Sequence, residues 1–269
     1  MNLDARRVIA RNVLEGRHGF QFRWDSWTQA HDALESLSKS TAGAIVMVRG
    51  PVGAGITSLL GAFVAAHSTK VIAVRHDIFL SRVNLVDRVQ QRVFPSCEFG
   101  WLKRVPKSLV EFVKLTGRRT IVVDDADIIS HDKNSAEVII DDMLKFALSD
   151  AEMLVIFSTR RVPLQNLFCK IKSVQTADIS LSGSLTAQNW VDLKDQFCHW
   201  ADSRYGLNIR EHAEDLFATA IGSLEIAQAM STLEVLYCAA LLCDQMPATK
   251  LETLETEDLK WEVQRVAYG

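Results

Sequence analysis

An apolar run that leads into a glycine-rich loop constrains the fold of this chain more than any other feature. The run AIVMVRG begins at Ala44, and the loop after it has the spacing Gly50-x-x-x-x-Gly55-x-Thr57. The apolar run predicts a buried strand, and the apolar spacing of residues 57–67 predicts a helix. A strand, a glycine-rich loop and a helix in this order are typical of the Walker A element, which binds nucleotide phosphates.

Phosphate binding explains the residue types found in this loop. Glycines at 50, 53 and 55 let the backbone curl so that its N–H groups point at phosphate oxygens. The positive end of the following helix dipole adds to this attraction, and the Thr57 hydroxyl is the predicted Mg²⁺ ligand. The predicted nucleotide contacts are Gly50, Gly53, Ala54, Gly55, Ile56, Thr57 and Ser58.

One position of the loop departs from this pattern. Ile56 occupies the place of the lysine that contacts the β- and γ-phosphates. Loss of one such charged contact costs about 3–4 kcal/mol of transition-state stabilisation, by analogy with the removal of single electrostatic donors. This cost corresponds to a rate loss of about a hundredfold or more. The sequence therefore predicts weak or absent ATPase activity, with ATP and Mg²⁺ bound weakly or not at all.

A second apolar run, at 120–127, ends in acidic residues and has the form of a Walker B element. Asp124 is the predicted Mg²⁺ ligand, acting through water, and Asp125 is the candidate residue that polarises the attacking water. Aspartate is one methylene shorter than the glutamate often found there, which weakens the catalytic assignment of Asp125. The competing interpretation is an ordinary strand that ends in a solvated acidic turn.

A third apolar run, at 152–159, ends in polar and basic residues. Ser158 and Thr159 are the predicted sensor residues that face the γ-phosphate. Arg160 and Arg161 follow directly and are predicted either to reach the nucleotide of a neighbouring subunit or to contact a nucleic-acid backbone. The competing interpretation is that both arginines are solvated, as most surface charges are.

Strand and helix patterns alternate over the first two thirds of the chain, which indicates a parallel sheet covered on both faces. Strands are predicted at 44–50, 70–77, 119–125 and 152–159, with a weaker fifth at 173–181, and helices at 57–67, 79–93, 107–116 and 135–149. The predicted fold class is α/β, with a five-stranded parallel P-loop sheet flanked by helices and a small C-terminal helical lid. The predicted domains are an N-terminal helical segment (1–40), the nucleotide-binding domain (41–184) and the lid (185–269).

Composition limits the remaining possibilities. The net charge of −3 argues against a uniformly basic protein but allows a local basic patch. The five cysteines form no CxxC pair, so no metal site of the cysteine type is predicted. The apolar runs are too short to cross a bilayer, and the charged first segment does not have the apolar core of a signal peptide. We therefore expect a cytoplasmic protein without a membrane partner.

Together, the glycine-rich loop, the acidic strand, the sensor strand and the helical lid resemble AAA+ ATPases. Within these the chain looks most similar to the transposition regulators of the TnsC, TniB and MuB type, with the ORC and DnaA initiators nearby. The resemblance covers about residues 25–265, and its motifs lie at 49–58, 120–127 and 154–161. In the segment 221–225, which looks like the family's sensor 2, Glu225 stands where arginine is usual. Two cationic phosphate contacts are therefore replaced, which indicates a degenerate site.

The resemblance implies a regulator that assembles on duplex DNA and directs a transposase or another target-selection protein. It also implies self-association, or association with an active AAA+ paralogue. In such proteins the region between the second and third strands carries residues that follow the DNA backbone without sequence specificity. In this chain the corresponding basic residues are Arg88, Arg92, Lys103 and Arg104. A solvated helix face is the competing interpretation.

Two other functions remain open from the sequence. The chain could be an active ATPase in which Arg49 or Arg75 replaces the missing lysine. It could also be a protein-binding adaptor of replication-loading or secretion machinery.

Overall fold

The computed structural model describes residues 1–16, 19–40, 43–74, 85–96, 104–124, 141, 143–159, 174–209, 225–245 and 256–268. The chain divides into two compact units. The sheet unit is Ser26–Ser182, and the helical unit combines Met1–Asp25 with Gly183–Gly269.

The sheet unit contains the predicted five-stranded parallel sheet. Its strands are β1 (Ala44–Arg49), β2 (Val71–Val74), β3 (Thr120–Val123), β4 (Leu154–Thr159) and β5 (Gln175–Ser180). Their order is β2-β3-β4-β1-β5, and every neighbouring pair is parallel. The interior strand β1, between β4 and β5, is buried almost throughout, as expected for a parallel strand covered on both faces. The α/β fold class predicted from the sequence is confirmed.

Helices precede the first strand and occupy the connections between the strands. They are α2 (Asp25–Ser40), α3 (Ile56–Ala66), α4 (Leu85–Val93) and α5 (Lys107–Thr116), and residues 143–147 are also helical. The predicted helix at 107–116 is confirmed: it begins after Pro106 and ends at Gly117, which has a φ of 68°. The predicted helices at 79–93 and 135–149 lie partly outside the described residues.

One hydrophobic cluster joins the sheet to α4, α5 and the helical residues 143–147. It combines side chains from the sheet strands with side chains from α4 and α5, including Ile45, Met47, Val89, Leu109 and Val113. These residues are almost completely buried, so their burial supplies much of the driving force that holds the sheet in place. The strand ends that carry the candidate site are thereby set on a rigid support.

The helical unit contains α1 (Leu3–Leu14), α6 (Ala187–Tyr205), α7 (Ile226–Leu241) and α8 (Thr256–Tyr268), with a 3₁₀ turn at Cys243–Gln245. The first turn of α6 is fixed by a capping box between Thr186 and Asn189. None of the described helices is long and apolar enough to cross a bilayer.

The N-terminal helix α1 is part of the same packed unit as the C-terminal helices α7 and α8. α1 packs against α7 and α8. Arg6 makes two hydrogen bonds to the Asp244 carboxylate, at 2.7 and 2.9 Å, and Arg11 Nε donates to the Ala267 carbonyl at 2.7 Å. The structure therefore divides the predicted 1–40 segment between the two units, because the apolar side of α1 is buried against helices that lie far away along the chain.

Candidate functional site

The glycine-rich loop between β1 and α3 forms a tight turn. Gly53 and Gly55 have φ values of 82° and 75°, which a residue with a Cβ rarely adopts. The Ala54 N–H donates to the Pro51 carbonyl at 3.1 Å and closes the turn. Gly55 is the N-cap of α3, so the first N–H groups of the helix point towards the loop opening.

The start of the loop depends on a close backbone approach. A Cβ on Gly50 would lie 2.5 Å from the Leu181 carbonyl oxygen and 3.2 Å from the Ala54 Cβ. The Leu181 N–H donates to the Arg49 carbonyl at 2.7 Å, which ties the segment after β5 to the end of β1. Gly50 thus contributes by having no side chain, which sets where the loop leaves the sheet.

The acidic and sensor strands bring two predicted residues into direct contact. The register pairs Val123 of β3 with Phe157 of β4, so Asp124 and Ser158 follow side by side. The buried Ser158 Oγ donates to Asp124 Oδ1 at 2.9 Å. A hydroxyl donor held against one carboxylate oxygen fixes the orientation of the Asp124 side chain.

A cavity of about 250 Å³ joins the loop to this carboxylate. It is lined by Pro51, Gly53, Ala54, Gly55, Ile56, Thr57, Asp124 and Ser158. The Thr57 hydroxyl and the Asp124 carboxylate, which the sequence proposes as Mg²⁺ ligands, therefore face the same cavity. Hydroxyl and carboxylate oxygens are the ligand types that Mg²⁺ prefers.

The charge of this lining differs from that of an ordinary phosphate site. Among the described lining residues, Asp124 is the only charged one, and Ile56 contributes a buried alkyl side chain. The loop backbone and the Thr57 and Asp124 oxygens fit the phosphates of a magnesium-bound nucleotide. The lining as described supplies no cation to neutralise a phosphoryl group as it leaves.

The proposed substitute cation Arg49 is engaged elsewhere. Its guanidinium forms a two-point ion pair with Asp178 of β5, with Nε–Oδ1 and Nη2–Oδ2 distances of 2.9 and 2.8 Å. Arg49 is not among the residues that line the cavity. Arg75, the other proposed substitute, lies outside the described residues.

The remaining predicted site residues either do not line the cavity or lie outside the described residues. Gly50 and Ser58 belong to the loop and to α3 without lining the cavity. Thr159 ends β4, but its side chain is outside the described part. Also outside are Asp125, Lys103, Arg160 and Arg161.

The predicted basic surface is changed by the packing of α4. Arg88 is 5% exposed, whereas Arg92, one turn later, is exposed. The structure therefore corrects the prediction of Arg88 as a contact to the DNA backbone, since its side chain is not accessible. The reason is that α4 contacts β2 and buries its whole first half. Arg104 is exposed.

The segment that looks like sensor 2 has a structural role at Glu225. Glu225 is the N-cap of α7 and forms an isolated antiparallel bridge with Ser184. The Ser184 Oγ donates to Glu225 Oε1 at 3.2 Å, and the Ile226 N–H donates to the Gly183 carbonyl at 2.8 Å. Residues 221–224 lie outside the described part.

Sequence reasoning missed two features of this site. Pro51 lines the cavity, although a proline carries no signal for phosphate binding. Asp178 holds Arg49, and only the register of β1 with β5 places the two side by side. Since registers between distant strands are set by tertiary packing, no local sequence pattern points to this ion pair.

Comparison with solved structures shows the fold. The Walker-type ATPase PABY2304 of Pyrococcus abyssi matches 89% of this chain and 71% of its own, with 13% identity and a TM-score of 0.55. A structure described as a DNA replication initiation factor matches 94% of this chain and 79% of its own, with 13% identity and a TM-score of 0.50. Domain III of the Thermotoga maritima replication initiation protein DnaA matches 90% of this chain and 92% of its own, with 11% identity and a TM-score of 0.49.

The sheet order and the similarities to the Pyrococcus abyssi ATPase and the replication initiation factor show that the chain shares the fold of these two proteins. No protein-family model matches the sequence, and no curated protein matches it.

Proposed function

We propose that this chain is an AAA+-like regulator that binds a magnesium-bound nucleotide weakly, hydrolyses it slowly or not at all, and associates with duplex DNA. The observation that carries the proposal is the cavity that joins the glycine-rich loop to the Asp124–Ser158 pair. Its described lining provides phosphate and metal contacts, but its one charged side chain is an acid.

In this proposal, backbone N–H groups bind the phosphates and side-chain oxygens bind the metal ion. N–H groups of the loop and of the first turn of α3 hold phosphate oxygens, and the helix dipole favours their negative charge. Thr57 and Asp124 would hold Mg²⁺, and Ser158 keeps the carboxylate in place. Bound Mg²⁺ would neutralise part of the phosphate charge, whereas the Ile56 side chain contributes no positive charge. We therefore expect the site to retain binding much better than catalysis.

The test of this site is a titration with a fluorescent ATP analogue, together with steady-state ATP hydrolysis. We expect Mg²⁺-dependent binding that Asp124→Ala weakens at least tenfold. Ile56→Lys restores the missing charge, so it should tighten binding and raise hydrolysis by about a hundredfold. Ile56→Met keeps an apolar side chain of similar size and is the matched control. Thermal unfolding of each variant checks that the fold is intact.

Two results would contradict the proposal. If neither the natural chain nor Ile56→Lys binds nucleotide at millimolar concentration, the cavity is not a nucleotide site. If the natural chain hydrolyses ATP rapidly and Asp124→Ala abolishes this activity, the chain is an active ATPase with another source of positive charge.

The DNA part of the proposal rests on the exposed Arg92 and Arg104 and on the resemblance to transposition regulators. A structurally similar protein described as a DNA replication initiation factor is consistent with it. Contacts from these residues to phosphates would be independent of sequence and sensitive to salt. The finer proposal is a role in target selection during DNA transposition, in assembly with itself or with an active AAA+ paralogue.

Fluorescence anisotropy with two unrelated duplexes tests the DNA contact. We expect similar affinities for both duplexes and a linear fall of log K with log salt. Changing Arg92 and Arg104 together to alanine should reduce the magnitude of that slope by about 2, since each phosphate contact contributes about 0.9. Lys114→Ala, at an exposed position on α5, is the control. An unchanged slope in the double variant would remove these two arginines from the proposal.

A further inference from the structure

Helix α8 exposes a stripe of aromatic and charged side chains. Trp261 is 63% exposed and Tyr268 is 48% exposed. Asp258 and Arg265 are exposed as well. The four residues follow one another along the helix at spacings of three, four and three, which places their side chains on one helix face. We call these four residues the α8 stripe.

The core of the helical unit does not use this face. The opposite side of α8 buries Leu259, Val263 and Val266, and α8 packs against α1 and α7. Tryptophan, tyrosine and arginine are the residue types that most often dominate binding energy at protein interfaces. An exposed tryptophan between two charged residues therefore has the composition of a contact surface.

Two residues of the stripe are held in position. The Tyr268 hydroxyl donates to Glu15 Oε1 at 2.9 Å, and the Arg11 guanidinium lies over the Tyr268 ring at 5.4 Å. Arg265 Nε donates to Glu262 Oε2 at 2.9 Å. These contacts lower the entropy that the side chains would lose on association.

The order of the charges makes the stripe complementary to itself. Asp258 and Arg265 are two helical turns apart, about 10 Å, and Trp261 lies near their midpoint. When a second α8 lies antiparallel across this midpoint, Asp258 faces the partner subunit's Arg265, and the reverse pair forms at the other end. A parallel arrangement would instead bring like charges together. An antiparallel two-fold contact is therefore the favoured one.

We propose that two copies of this chain associate through the α8 stripe in an antiparallel two-fold arrangement. The proposal rests on the self-association in the proposed function and deepens it, because it assigns that association to a surface that needs neither nucleotide nor DNA. It is tested without either ligand, so its failure would leave the nucleotide and DNA experiments unaffected.

Sedimentation equilibrium of the full chain over a range of concentrations is the test. We expect a monomer–dimer equilibrium that Trp261→Ala and Asp258→Arg each weaken at least tenfold. Leu115→Ala removes another strongly exposed apolar side chain, on α5, and should leave the equilibrium unchanged. Circular dichroism of each variant confirms that helix content is retained.

Charge reversal at both ends tests the orientation. Asp258→Arg combined with Arg265→Glu in the same chain exchanges the charges, so opposite charges still face each other and association should recover. Failure to recover, with helix content retained, would overturn the antiparallel arrangement. Two results would overturn the proposal itself. One is a chain that stays monomeric at about 100 μM, a concentration on the order of the dissociation constant of a weak interface. The other is a dimer whose dissociation constant changes with neither Trp261→Ala nor Asp258→Arg.

Discussion

Gly50→Ala is the change that most directly tests how the glycine-rich loop is joined to the sheet. The added Cβ would lie 2.5 Å from the Leu181 carbonyl oxygen and 3.3 Å from the Leu181 Cβ. The neighbour that must move is backbone, which cannot rotate away like the end of a flexible side chain. The segment after β5 therefore has to separate from the end of β1.

The expected cost has two parts. Overpacking of a filled site typically costs about 1–3 kcal/mol. Separation also lengthens the hydrogen bond from the Leu181 N–H to the Arg49 carbonyl, now 2.7 Å, whose loss costs about 1 kcal/mol. We expect Gly50→Ala to lower the free energy of unfolding by about 2–4 kcal/mol and to weaken nucleotide binding, since the loop is displaced.

Urea denaturation followed by circular dichroism measures this cost, and Gly61→Ala is the matched control. Gly61 lies in the middle of α3, and a Cβ there meets no atom within 4 Å. Alanine at this helical position should raise stability by about 0.5–1 kcal/mol. If Gly50→Ala unfolds at the same urea concentration as the natural chain, the close approach to Leu181 does not exist and the inferred geometry of the loop is wrong.

Two further predictions concern hydrogen bonds away from the cavity. The hydrogen bond from His67 Nε2 to Glu35 Oε1, at 2.5 Å, lowers the pKa of Glu35. A lowered carboxyl pKa contributes stability above the unfolded value of about 4.3, and this stability is lost as pH falls through the folded value. Glu35→Gln should therefore lower the urea midpoint at pH 7, by a difference that shrinks below about pH 4; a difference independent of pH would contradict this. In the helical unit, burial raises the pKa of Tyr237, whose hydroxyl donates to Asp202 Oδ1 at 3.0 Å. Tyr237→Phe should cost about 1–2 kcal/mol in urea denaturation, against less than about 0.5 kcal/mol for Tyr205→Phe, and equal costs would argue against this bond.

Local patterns were enough to predict the main elements. Residues 44–48 are apolar, and residues 50–57 carry glycines at fixed spacing. Each pattern spans only a few neighbouring residues. Positive φ at Gly53 and Gly55 follows from this spacing, because other residue types strain the same turn. The five strands and their parallel arrangement were predicted because strands that alternate with helices leave few other solutions.

The candidate site was predicted as separate pieces. Thr57, Asp124 and Ser158 were each chosen for their place at the end of a strand or loop, and the structure brings all three to one cavity. Their hydrogen bonding was not predicted, because the Ser158–Asp124 bond depends on the register of β3 with β4. The burial of Arg88 was also missed, since an i, i+4 pair of arginines looks the same on a buried face as on an exposed one.

The amino-acid sequence by itself determined the strand–loop–helix element, the apolar strands and an isoleucine as the first residue of α3, because these depend on neighbouring residues. Only the tertiary structure decided that Arg49 pairs with Asp178, that Arg88 is buried and that α1 packs against α7 and α8. These features join residues that are far apart in the chain. They follow from strand register and from competition for buried surface, which are properties of the whole packed unit and not of any short segment.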